Sequence, residues 1–65
     1  MDPDRLYWET HMYMKDGLYE QARNAAIELR NWLDKGGFYP LFYSHQEVNN
    51  YLASVLRRTT YYEAI

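Results

Sequence analysis

Two histidines stand next to glutamates, in Glu9-Thr10-His11 and His45-Gln46-Glu47, and carboxylates with imidazoles are zinc ligand types. Neither segment sets two imidazoles four residues apart on one helix face, the spacing that lets His-Glu-x-x-His grip a metal. Each histidine has a structural use instead. His11 falls on an apolar stripe with Tyr7 and Met14, where a ring hydrogen-bonded to a tyrosine or a carbonyl is sufficient. His45 falls in the first turn of a helix, where the dipole disfavours a positive imidazole. With no cysteine in 65 residues, neither a thiolate metal site nor a disulfide framework can form, and the redox compartment is not indicated.

Nucleophilic catalysis finds no better footing. Ser44 precedes His45-Gln46-Glu47 in the pattern of a helix cap, and no Gly-x-Ser-x-Gly elbow occurs. Gly36-Gly37 lacks the Gly-Lys-Ser/Thr that would make it a phosphate loop. A chain this short seldom encloses the ~300–1,000 Å³ of a ligand pocket. The expectation is a protein with no catalytic residue, metal, cofactor or small-molecule substrate.

Nucleic-acid binding is the stronger rival. Asn49, Asn50, Arg57 and Arg58 on the last helix suggest a recognition surface, so a nucleic-acid-binding helical domain using that helix is the alternative function. Two features oppose it. The connector from Gly36 to Ser44 is far longer than the three- or four-residue turn of a helix-turn-helix. Arg23, Arg30 and Lys35 are interleaved with Glu20, Glu28 and Asp34, which reads as a solvated face with local ion pairs. Seven Lys plus Arg against nine Asp plus Glu give a formal charge of -2, which draws neither a phosphate backbone nor an anionic membrane. No apolar run approaches the ~20 residues of a membrane span, and Met1-Asp2-Pro3-Asp4 lacks the basic and apolar start of a secretory signal. A cytoplasmic protein is expected.

The elements that would position any site are sharply punctuated. Asp2 can cap a helix with Pro3 at its first position and Asp4 beside the positive end of the dipole. Asp16-Gly17 is a stop. Residues 18–35 read as the clearest helix, ended by Gly36-Gly37 with Phe38 placed for a Schellman-type hydrophobic contact. A third helix opens at the Ser44 capping box, its Ser accepting from the backbone N–H three residues on while Glu47 reaches back, and runs to about 58. On the second helix Leu18, Tyr19, Ala22, Ala25, Ala26, Leu29, Trp32 and Leu33 share one stripe, and on the third Val48, Tyr51, Leu52, Val55 and Leu56 do the same. The fold expected is therefore all-α, one domain over 1–65, with helices at 3–15, 18–35 and 45–58 and an aromatic loop at 36–44. If Gly17 does not break the chain, the alternative is a long helical hairpin, 3–35 plus 45–60, that must dimerise.

Two apolar features remain unabsorbed by that fold. Helix one carries Leu6, Tyr7, Trp8, Met12, Tyr13 and Met14 around most of its circumference, so packing one side leaves Trp8 and Met12, or else Leu6 and Tyr13, for another surface. The connector Gly36-Gly37-Phe38-Tyr39-Pro40-Leu41-Phe42-Tyr43 is too apolar for an ordinary loop. Phe38, Leu41 and Phe42 are expected to close the end of the bundle, with Tyr39 or Tyr43 left for a partner. The twelve aromatics, eight of them Tyr, are types that interfaces favour, and so small a core commonly needs outside support. The function expected is protein–protein interaction, as an accessory, adaptor or inhibitor that also self-associates, with a homodimer anticipated. Candidate interface residues are Trp8, Met12, Tyr39 and Tyr43, together with Arg57 and Tyr61, which align with Asn50 and Ser54 on the outer face of helix three if that helix continues.

Overall fold

In the computed structural model, which describes residues 2–62, Asp2 accepts backbone hydrogen bonds from Asp4 and Arg5 and opens helix α1, Pro3–Lys15. The chain leaves α1 through a Schellman turn. Leu18 N–H donates to the Tyr13 carbonyl (2.8 Å) and Gly17 N–H to that of Met14 (3.3 Å), with Gly17 at φ 75°, a backbone region open to glycine at little cost. The break is therefore real, and three separate helices replace the long hairpin. Helix α2 spans Tyr19–Asp34 and ends in the same motif, Gly37 N–H donating to the Trp32 carbonyl (2.9 Å) and Gly36 N–H to that of Leu33 (3.1 Å). Helix α3, His45–Arg58, starts where Ser44 Oγ accepts from Glu47 N–H (3.0 Å). Thr59 caps it and a single 3₁₀ turn, Thr60–Tyr62, follows.

The three helices share one core, built from Leu6 and Tyr7 of α1, the alanine face and Leu29 and Leu33 of α2, and Val48, Leu52 and Val55 of α3. Fully buried Ala22 and Ala26 carry no bulk, so neighbouring backbone can approach α2 closely, and α1 and α2 form the most extensive helix pair. The two buried threonines are satisfied locally. Thr10 Oγ1 donates to the Leu6 carbonyl (2.8 Å) and Thr59 Oγ1 to that of Val55 (2.7 Å), each one turn back. Leu18 and Tyr19, expected on the inner stripe, are exposed at the turn, where the helix has only begun.

Candidate functional site

In the connector between α2 and α3 the three apolar side chains expected to close the bundle end lie outside, while Tyr43 is exposed as expected. Phe38 is 73% exposed, Leu41 78% and Phe42 88%, whereas Pro40 is fully buried. They do not plug the bundle end. The physical reason lies in what a buried loop must satisfy: proline has no N–H to strand in an apolar interior, while its neighbours keep theirs outside. Leu41 N–H is met at the surface by Asp4 Oδ1 (2.9 Å), and this bond ties the connector to the first turn of α1.

Three further attachments hold the segment. Tyr39 stacks on His45 at 3.8 Å between ring centroids and nearly parallel, and its hydroxyl donates to Asn49 Oδ1 (3.2 Å). The same Asn49 oxygen accepts from Arg30 Nη1 (2.8 Å), while Arg30 Nε donates to Asp34 (3.1 Å). Asn49 thus joins α2, the connector and α3. At the α2 end, the Trp32 indole lies over Gly37 and donates from Nε1 to the Phe38 carbonyl (3.0 Å), and the Phe38 ring meets Trp32 edge-on at 5.6 Å. That is the hydrophobic contact expected of the helix end, made at the surface.

At the other end of the connector, Tyr43 packs edge-on against buried Tyr7 (4.8 Å). Tyr7 is the hub of a ring cluster, since Tyr51 (5.5 Å) and His11 (4.6 Å) also meet it edge-on and His11 stacks flat on Tyr51 at 3.8 Å. His11 Nδ1 donates to the Tyr7 carbonyl (2.9 Å), the use expected for that ring. Burial, with the Glu47 carboxylate and the neighbouring phenols adding to it, pushes the Tyr7 hydroxyl up to about 12. Burial raises Tyr51 too, against an opposing pull from Arg58. Both phenols are therefore neutral packing groups at physiological pH, poor as general bases.

Trp8, 60% exposed, lies one helical turn from Asp4, on the side of α1 to which Leu41 is bonded. Leu41, Phe42 and Tyr43 follow one another on the segment tied to Asp4 and Tyr7, and Phe38 meets Trp32 of α2. Met12 and Tyr13 are both half-buried and Leu6 is buried, so of the two expected outward pairs only Trp8 is well exposed. Tyr39 is held inward by His45 and Asn49. Arg57 and the almost fully exposed Tyr61 stand at the C-terminal end of α3, away from Tyr39 and Tyr43 beside its start. The roles of Asp4 and Asn49 were not apparent from sequence, where one reads as a dipole acid and the other as part of a nucleic-acid recognition surface; the Asn49 oxygen is instead taken by Arg30 and Tyr39.

Elsewhere the chemistry is sparse. A shallow cleft of about 240 Å³ between α1 and α2 is floored by Leu6 and Ala25 and edged by Glu9 and Glu28. Among the described residues no group of three or more His, Asp or Glu is placed to hold a metal, and no helix is long and apolar enough to cross a membrane. Arg23 is drawn to the end of α3, Nη1 donating to the Leu56 carbonyl (2.8 Å). With Arg30 bound to Asp34 and Asn49, these guanidiniums serve helix packing rather than a basic stripe. Comparison with protein-family models, with curated proteins and with solved structures found no match to this chain.

Proposed function

We propose that the chain is a protein-interaction module, an accessory, adaptor or inhibitor protein, that docks through its connector end. The observation that carries this reading is the pairing of exposure with order. Phe38, Leu41 and Phe42 offer large apolar side chains to solvent on a segment fixed at Asp4, Asn49, Trp32 and Tyr7. An apolar anchor held in place before binding loses little conformational freedom on docking, which is how a few residues come to dominate an interface. Trp8 and Tyr43 extend the surface with the ring types most often found at such centres.

The test compares the wild-type chain with a Leu41→Ser/Phe42→Ser variant in capture from an extract of the native host. Both positions are exposed, so the variant should keep the helical circular dichroism of the parent. Proteins retained by the wild type should be lost from the variant. Equal retention by a folded variant would remove the connector from the docking surface.

A further inference from the structure

We infer that the connector end is the interface of an isologous homodimer, a second copy of this chain covering Trp8, Leu41, Phe42 and Tyr43 around a two-fold axis, with Phe38 on the flank. The inference rests on the docking reading and names its occupant.

Area is the first argument. At about 150–250 Å² of surface per aromatic side chain, and somewhat less for leucine, the exposed fractions of these five side chains come to on the order of 500–800 Å². A monomer's largest apolar patch is ordinarily about 300–600 Å². The share that each partner contributes to a standard interface is about 800 Å². The exposed area therefore lies at or above the upper end for a free surface and approaches what one half of a dimer supplies.

Charge is the second argument. The helix ends that meet the connector carry both signs, Asp2, Asp4 and Arg5 at the start of α1, Lys35 at the end of α2 and Glu47 in the first turn of α3. Away from its axis an isologous contact sets each residue against a different one of the copy, so a mixed rim can pair with itself. A strongly acidic or basic partner meets no complementary field here, and the acids oppose docking on an anionic bilayer. The core supplies the third. Three of its ten buried members are alanines, Tyr7 is its single ring, and a domain of this size ordinarily needs a staple. The chain has no cysteine for one, whereas a second copy is present wherever the chain is.

Sedimentation equilibrium from about 1 to about 100 µM, a range that brackets micromolar dissociation constants, reads the association. The expected apparent mass climbs from 7.9 kDa towards twice that value. Leu41→Ser/Phe42→Ser should weaken the dimer at least tenfold with helicity unchanged, and Tyr61→Ser, at the C-terminal end of α3, should leave it intact. In the cysteine-free chain, Phe42→Cys should form a disulfide between copies under mild oxidation, because residues near a two-fold axis meet their own counterparts.

A mass of 7.9 kDa throughout overturns the second copy and leaves the docking reading to the capture experiment, as does a monomer that floats with phosphatidylcholine vesicles. A mass rising beyond the dimer, the mark of end-to-end contacts, overturns it too. A dimer that survives Leu41→Ser/Phe42→Ser overturns both the second copy and the docking surface.

Discussion

Gly37 has no side chain because the Trp32 indole occupies the place one would take. A Cβ built there would fall within 2.3–2.5 Å of three indole atoms, far inside any ordinary contact. Gly37→Ala must therefore push the indole aside and break the Nε1–H bond to the Phe38 carbonyl that fixes the start of the connector. A steric insertion of this kind costs about 1–3 kcal/mol. The expected outcome is a lower melting temperature and, in a Trp8→Phe background that leaves one indole, a red-shifted emission; an unshifted spectrum would show that the indole does not depend on the missing Cβ. Sequence gave the glycine pair as a helix stop and could not assign its second member to the ring, because Trp32 sits five residues earlier and reaches Gly37 only once the Schellman turn folds the chain back. Asn49 illustrates the same limit. Its single oxygen takes donors from Arg30 and Tyr39, and nothing local to Asn49 announces either.

Helix boundaries were legible because each is written in a local code. Asp2 and Ser44 accept the first free N–H groups of α1 and α3, Gly17 and Gly36 reverse the chain after α1 and α2, and the 3.6-residue stripes name Ala22, Ala25, Ala26, Leu29, Val48, Leu52 and Val55 as the core they become. The connector was not legible in the same way. It has no period, so apolar content alone could not tell which neighbour faces inward, and the answer turned on Pro40 needing no donor partner. Gly17 gives this scale its test, because the two organisations of the first half of the chain make opposite demands on it. A Cβ at Gly17 meets nothing within 4 Å, so Gly17→Ala changes backbone preference and little else. With the turn at φ 75° the substitution should destabilise by about 1–2 kcal/mol. In a continuous helix it would instead stabilise by about 1 kcal/mol. Chemical denaturation of the two proteins reads the sign directly.

At the scale of the whole molecule, the balance between a thin core and an apolar end determines how stability responds to concentration. The core is held by four leucines, two valines, three alanines and Tyr7, and a single core in a domain of this size supplies roughly 3–5 kcal/mol. Meanwhile Trp8, Leu41 and Phe42 leave most of their area in water. If a second copy covers that area, dimerisation binds the folded chain and not the unfolded one, and adds stability that grows with the logarithm of concentration, by about 2.7 kcal/mol when free partner stands at a hundred times the dissociation constant. For a domain of this length each kcal/mol moves the midpoint by about 4–8 °C. The expected melting temperature therefore rises by several degrees between about 1 and about 100 µM, the range in which micromolar association develops. Leu41→Ser/Phe42→Ser should melt at one temperature across that range, close to the dilute wild type, because it alters exposed side chains and leaves the core as it was. A wild type whose midpoint ignores concentration would show that the three helices stand on their own core, with the connector end free for a different kind of partner.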